Sequence, residues 1–282
     1  MQKQTVFKTI LQCLGLIFLL SALGAYFFFA TKLWEDGRKK EVCRNIKVVI
    51  LDSAKNRFID KDDIINVMEG YMGPLIGKNS SKISLSLIEE LLNKKSVVKK
   101  VDASITLDGK MMVSITQRRP ILRVETKNGG FYIDDSQYIF PLIENFTSYV
   151  PIVSGNIPLN LYEGYRGKAT KENISWTEQI YNLAKYLDEN PFWNAQIEQI
   201  YIQQNGDLLL CPRVGSQKII FGDLQNIDEK LEKLQAFYQN VIPTEGWEKY
   251  STINLKYKKQ IVCTTKKGES IKQNVKKEEN II

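Results

Sequence analysis

The chain has 282 residues and a formal net charge of +7, and its 25% charged and 43% hydrophobic residues are typical of a folded protein. The absence of histidine from the sequence excludes Ser-His-Asp and Cys-His catalysis and most zinc and non-haem iron sites. The lysines lie along the whole chain without zinc-finger spacing or RNA-binding aromatic motifs, so they indicate a basic surface near anionic lipid, not nucleic acid binding. The sequence predicts no cofactor, metal site or small-molecule substrate.

An apolar run without charge occupies residues 10–30 and is interrupted only by Gln12 and Ser21. About 20 residues at a rise of 1.5 Å each cross the ~30 Å hydrocarbon layer of a bilayer. The sequence therefore predicts a transmembrane helix at 10–30 that contacts the lipid bilayer. A short tail, 1–9, precedes this helix, and a juxtamembrane linker, 31–43, follows it.

A cleavable signal peptide is the main alternative to this anchor, because Ala22-Leu23-Gly24 loosely resembles a cleavage site. Apolar residues continue beyond that site through Phe29, which favours an uncleaved anchor. Lys and Arg are more frequent just after the run than before it, which taken alone would place the body of the protein in the cytoplasm. Long domains are translocated largely regardless of charge, so the charge count leaves the orientation open.

Residues 44–120 predict a first module with the order strand, helix, helix, strand, strand. Alternating apolar residues indicate the first strand at about 46–50, and Asp60 is placed to cap the first helix. A second helix is predicted to begin at Ser84 or at Ser86, where Ser86 and Glu89 match a capping box. Two alternating runs then flank Asp108-Gly109, a strong hairpin signal.

Residues 121–265 predict a second, mostly antiparallel β domain with flanking helices. Short strands are expected around 122–126, 131–133 and 138–140, followed by a helix with a Ser175 and Glu178 capping box, a hairpin at Asn205-Gly206, a helix over 227–241, and final strands near 250–257 and 260–265. A charged flexible tail, 266–282, completes the predicted α+β architecture. The four cysteines form no CxxC pair, so we expect buried thiols, with Cys211 to Cys263 as a conceivable bridge.

The order and spacing of these segments resemble the bacterial cell-division family FtsQ/DivIB, in which a single anchor precedes a POTRA module and a β domain. The matching motifs are Phe58-Ile59-Asp60, Gln117-Arg118-Arg119-Pro120, Phe131-Tyr132-Ile133-Asp134, Val150-Pro151-Ile152-Val153-Ser154-Gly155, Arg213-Val214-Gly215, Ile220-Phe221-Gly222 and Ile253-Asn254-Leu255-Lys256-Tyr257. Two positions depart from the family pattern: Asn254 replaces a usual acidic residue, and Lys256 replaces a usual arginine.

The resemblance implies a non-catalytic scaffold of the division septum that faces the periplasm or outer surface, with its N-terminus in the cytoplasm. Such proteins recruit FtsB-like and FtsL-like partners, and the FtsB-like partner adds a strand to the last strand of the β domain. In this chain the predicted strand at 260–265 has no predicted strand after it, so it would offer unpaired backbone groups for this addition. Either Ile261 and Cys263 or Val262 and Thr264 would then tune selectivity.

Tyr257 is the predicted anchor of this contact, because tyrosine combines a large apolar area with a polar tip. The alternative for Tyr257 is a core position on the face shared with Ile253 and Leu255. The predicted partner-binding residues are Tyr257, Lys258, Gln260, Ile261, Val262, Cys263 and Thr264. An interdomain role is predicted for Arg118, Arg119, Pro120 and Arg123.

Two other functions are compatible with parts of the sequence. The first is an envelope chaperone or assembly factor that uses a POTRA module, although no further POTRA repeat or barrel pattern follows. The second is a cell-wall enzyme with a carboxylate pair at Asp134-Asp135, for which a structural turn is the competing interpretation.

Overall fold

The computed structural model describes residues 2–38, 42–51, 57–144, 146–268 and 270–273. The chain divides into two compact units, one formed by Met1–Ser53 and Ile59–Gln117 and the other by Ala54–Phe58 and Arg118–Ile282. Both helices and sheets are present, and the predicted α+β class is confirmed.

The first helix, α1, covers Gln2–Arg38. Within the described residues, one segment, Leu14–Lys32, is long and apolar enough to cross a membrane. The helix continues into the predicted linker because residues 31–36 contain neither glycine nor proline.

In its described residues, the rest of the first unit contains a three-stranded sheet, two α-helices and a short 3-10 helix at Ser80–Lys82. Its elements are β1 (Asn45–Ile50), α2 (Lys61–Met72), α3 (Leu85–Asn93), β2 (Val98–Ile105) and β3 (Lys110–Gln117). Strand β3 is central, parallel to β1 and antiparallel to β2, as the hairpin at Asp108-Gly109 predicts.

The helix caps of this unit follow the sequence in part. Asp60 caps α2, since its Oδ1 accepts a hydrogen bond from the amide of Asp63 at 2.9 Å. Ser84 caps α3, since its Oγ accepts from the amide of Leu87 at 3.3 Å. The capping box predicted at Ser86 is wrong, because Ser86 lies inside the helix that Ser84 already caps.

The second unit contains an eleven-stranded sheet in the order β14-β13-β12-β11-β10-β9-β7-β4-β5-β6-β8. Its strands are β4 (Pro120–Thr126), β5 (Gly129–Asp134), β6 (Tyr138–Pro141), β7 (Ile152–Gly155), β8 (Gly167–Lys168), β9 (Ile197–Ile202), β10 (Leu208–Pro212), β11 (Lys218–Gly222), β12 (Tyr250–Asn254), β13 (Ile261–Thr265) and β14 (Ser270–Gln273). Most neighbouring strands are antiparallel, including the predicted hairpin at Asn205-Gly206, whereas β7 is parallel to β4 and β9, and β11 is parallel to β12.

Four helices accompany this sheet: α4 (Ile174–Glu189), α5 (Pro191–Gln196), α6 (Ile227–Asn240) and α7 (Ile242–Glu245). Buried side chains of α4 and α6, such as Leu183 and Leu234, share one apolar core with strand residues. The capping box predicted at Ser175 is wrong, because α4 begins at Ile174 and its N-cap is Asn173. The Asn173 amide group donates instead to Asn160 and Thr170.

The largest difference from the sequence interpretation lies after β13. Residues predicted as a flexible tail include β14, whose Ser270 to Gln273 pair antiparallel with Thr264 to Ile261. The predicted uncovered edge at 260–265 is therefore wrong, because β13 is paired with β12 on one side and β14 on the other. The sequence signal is weak because Ile271 is the only apolar residue of this short strand. The remainder of the predicted tail, 274–282, lies outside the described residues.

Candidate protein-binding site

The two ends of the large sheet differ in what they offer to another chain. At one end β8 has two residues, which pair with Tyr138 and Ile139 of β6. Such a short edge strand leaves little backbone for pairing. At the other end the edge strand is the four-residue β14, and the five-residue β13 lies next to it, with four of its residues paired to β14. The β13 end is therefore the better candidate for binding an added strand.

The side chains of β13 alternate between the core and the surface. Ile261 and Cys263 are fully buried, and Thr265 is buried as well. Val262 and Thr264 are partly exposed on the opposite face. Of the two pairs that the sequence leaves open, Val262 and Thr264 are thus accessible to a partner, whereas Ile261 and Cys263 hold the strand in the core.

Tyr257 lies in the connection between β12 and β13, and 48% of its surface is exposed. Lys256, Lys258 and Lys259, which flank it, are exposed as well. Tyr257 therefore does not share the core face of Ile253 and Leu255, both of which are fully buried. Its aromatic ring is available for contact at the end of the sheet that carries β13.

The connection that carries Tyr257 is held by a lysine of α6. Lys233 Nζ donates to the carbonyl oxygen of Tyr257 at 2.7 Å and to that of Leu255 at 3.3 Å. Burial lowers the pKa of Lys233, and the nearby charge of Lys230 also lowers it, while Glu229 acts in the opposite direction. Sequence reasoning missed this contact because a lysine on a helix resembles an ordinary solvated residue.

A cleft of about 340 Å³ adjoins the same connection. Two ion pairs lie along it: Lys256 Nζ contacts Asp207 Oδ2 at 2.6 Å, and Lys230 Nζ contacts Asp223 Oδ1 at 2.6 Å. The hydrogen bond from Lys230 lowers the pKa of Asp223, and the hydrogen bond to Asp207 raises the pKa of Lys256. Because the charges are largely paired, the cleft favours a mixed polar contact over a single anion.

Arg118 and Asp134 form a buried ion pair, with Nη1 to Oδ2 at 2.9 Å. Asp134 is fully buried and also accepts hydrogen bonds from the amides of Ser136 and Tyr138 and from the Ser136 hydroxyl. The guanidinium of Arg118 lies 3.4 Å from the centre of the Tyr138 ring. Asp134 thus stabilises the β5–β6 turn, and this agrees with the structural interpretation of Asp134-Asp135.

The other arginines also bind acidic residues of the second unit. Arg119 donates to both carboxylate oxygens of Asp188, at 2.8 and 3.0 Å, and to Asp135. Burial opposes the charge of Arg119, but the hydrogen bonds and charges of these two aspartates raise its pKa overall. Arg123 Nη2 lies 2.5 Å from Glu125 Oε1, and both residues belong to β4. Pro120 is the first residue of the same strand. The interdomain role of these residues remains a prediction.

In the part of the chain that the structure describes, the cysteines are free thiols and no group of thiols and carboxylates is placed to hold a metal ion. Cys43, Cys211 and Cys263 are free thiols there, so Cys211 and Cys263 are not bridged. Burial raises the pKa of Cys263 to about 12. Among the same described residues, no three Cys, Asp or Glu side chains are arranged to hold a metal ion.

The N-terminal apolar helix suggests a single-pass membrane protein. Residues 119–264, more than half of the chain, match the family described as FtsQ/DivIB, C-terminal related, and residues 41–116 match a POTRA-like domain. The chain belongs to the FtsQ/DivIB family. A search of the curated proteins found no match. FtsQ/DivIB proteins are non-enzymatic scaffolds of the division septum, and membership supports a role of the divisome type.

Proposed function

We propose that this protein is a membrane-anchored divisome scaffold that recruits FtsB-like and FtsL-like partners by β-strand addition at the end of the large sheet that carries β13 and β14. The observation that carries the proposal is the geometry at this end of the sheet. There a strand with a buried face and an accessible face lies next to a half-exposed tyrosine.

Strand addition separates affinity from selectivity. Backbone N–H and C=O groups at this end of the sheet would pair with the partner, which supplies affinity for an extended segment of almost any sequence. Val262 and Thr264 would contact alternate side chains of that segment, and these contacts supply selectivity. Tyr257 would add a large amphipathic contact beside the paired strands.

The membrane anchor would hold this binding surface at the plasma membrane, from which the septum forms. In the proposed orientation, the N-terminus lies in the cytoplasm, and the two sheets with their helices lie on the periplasmic or outer side of the plasma membrane. Its partners would then be proteins whose segments outside the cytoplasm reach β13. Depletion of the protein should produce filamentous cells or blocked septa.

The test is capture of the FtsB-like protein of the same genome by the intact chain, purified from membranes in detergent. The variant Val262→Asp places a charge on the accessible face of β13, where it should lower capture at least tenfold. Its matched control, Val214→Asp, makes the same change at a 49% exposed loop position of the same unit and should leave capture unchanged. Equal capture by both variants and the unmodified chain would refute strand addition at β13.

A further inference from the structure

We propose that β14 is an internal competitor that occupies the docking edge of β13 and is displaced when the partner strand binds. The inference rests on the proposed function and adds its regulation. In the free chain Ser270 to Gln273 already pair with Thr264 to Ile261, so the chain itself fills the backbone positions that a partner would use. A partner strand must either replace β14 or add to its outer edge.

The two strands of this pair are anchored very differently. Ile261, Cys263 and Thr265 fix β13 in the core. In β14, Ser270 and Lys272 are exposed, and Ile271 is partly exposed opposite Cys263. Since burial of apolar surface is the main source of stability, β14 is held chiefly by its backbone hydrogen bonds. The weakly held strand is the one that can leave, and β13 remains as the template.

The extent of the family match points in the same direction. The match ends at Thr264, inside β13, and β14 begins six residues later. The matched residues thus end on β13, and β14 lies beyond them. An interaction that uses only the matched residues would use the edge of β13, which this chain covers with its own segment.

The outer edge of β14 is a poor alternative template. An antiparallel strand directs the backbone groups of alternate residues to each side, so a four-residue strand offers about two residues to a partner. Lys272 is exposed on this strand, and lysine on an edge strand disfavours further pairing. Replacement of β14 gives a partner the longer β13 edge.

This arrangement would set a threshold for partner binding. A site that is open in only a fraction of molecules has an apparent affinity reduced by that fraction, so β14 docked in about nine molecules of ten would weaken binding about tenfold. Because the competitor is tethered, its effective concentration is in the millimolar range for a short linker, and a free peptide would not easily match it.

The test measures affinity of the intact chain in detergent for the purified FtsB-like protein. A chain that ends at Gly268 lacks β14 and should bind about tenfold more tightly, whereas a control chain that ends at Gln273 keeps β14 and should bind like the full chain. The point variant Ile271→Gly weakens the strand without shortening the chain and should also tighten binding. Its control, Lys272→Ala, should have little effect.

Hydrogen exchange of the β14 amides distinguishes displacement of β14 from addition onto β14, because the two routes change the exchange rate in opposite directions. Displacement predicts faster exchange of the Ser270 to Gln273 amides in the complex than in the free chain, while addition onto β14 predicts slower exchange. Equal or weaker binding by the chain that ends at Gly268, or slower exchange in β14, would overturn the inference and leave the proposed function standing. Absence of binding by every chain, including that one, would refute both.

Discussion

Lys233 Nζ on α6 lies 2.7 Å from the carbonyl oxygen of Tyr257 and 3.3 Å from that of Leu255. This lysine therefore ties the core helix to the connection between β12 and β13. Lys259, in the same connection, has a positive φ of 60°. The position of Tyr257 thus depends on a side chain 24 residues earlier in the chain.

Replacement of this lysine tests whether the connection is held in place. Lys233→Met keeps most of the aliphatic stem but removes both hydrogen bonds, and hydrogen bonds to charged groups contribute about 1.5–3 kcal/mol each at most. We expect a loss of about 1–3 kcal/mol in the free energy of unfolding, together with weaker capture of the FtsB-like protein. Lys171→Met, at an exposed position, is the control. Identical chemical denaturation curves for the two variants would contradict the structural role.

Asp134 is expected to be the most sensitive acidic residue of the second unit. Asp134→Ala removes the fully buried partner of Arg118 and three further hydrogen bonds, and breaking a buried pair costs about 3–5 kcal/mol. Asp135→Ala affects a partly exposed pair with Arg119 and should cost about 1 kcal/mol or less. Thermal denaturation compares the two variants, and an equal or larger effect of Asp135→Ala would show that the pair is misassigned.

Gly155 should tolerate no side chain. Its φ is +97°, and an added Cβ would lie 2.3 Å from the carbonyl oxygen of Ile202 on the neighbouring strand β9. Gly155→Ala is expected to lower stability by about 3 kcal/mol or more. Gly206 has a similar φ of +85° but open space around it, so Gly206→Ala should cost only the backbone strain of about 1–2 kcal/mol. A smaller effect at Gly155 than at Gly206 would contradict the close pairing of β7 with β9.

Cys263 should be protected from alkylation while the protein is folded. Burial raises its pKa to about 12, so about one thiol in 10⁴ is ionised at pH 8, and the thiolate is the reactive form. Iodoacetamide followed by mass spectrometry should modify Cys263 only after denaturation. In the unfolded chain this thiol ionises at its ordinary pKa of about 9, whereas in the folded chain it stays protonated up to about pH 12. Its ionisation therefore lowers the free energy of unfolding as pH rises from about 9 to 12. Rapid labelling of the folded chain would show that β13 is not buried as described.

Local signals allowed much of the fold to be predicted. Asp-Gly and Asn-Gly hairpins and the Asp60 cap depend on residues close in sequence, and each is observed. Strands β7 and β11 were not predicted as strands, because each is short and takes part in a parallel pairing with a strand distant in the chain. Strand β14 is also short, and its formation depends on the edge that β13 provides.

The candidate site was predictable in outline and not in detail. The sequence indicated which end of the chain would present a strand and a tyrosine, since apolar alternation and the family resemblance both mark 250–265. It could not tell which face of β13 is buried, because Ile261 and Val262 are equally apolar. That choice is made by packing against the core, in which Ile261 and Cys263 are fully buried.

Site-specific photo-crosslinking in dividing cells tests whether the FtsB-like protein binds at β13. A photoreactive residue at Val262, on the accessible face of β13, is compared with one at Lys168 on β8, at the opposite end of the sheet. We expect an adduct with the FtsB-like protein from position 262 and none from position 168. An adduct from position 168 alone, or from neither position in cells that divide normally, would contradict this expectation.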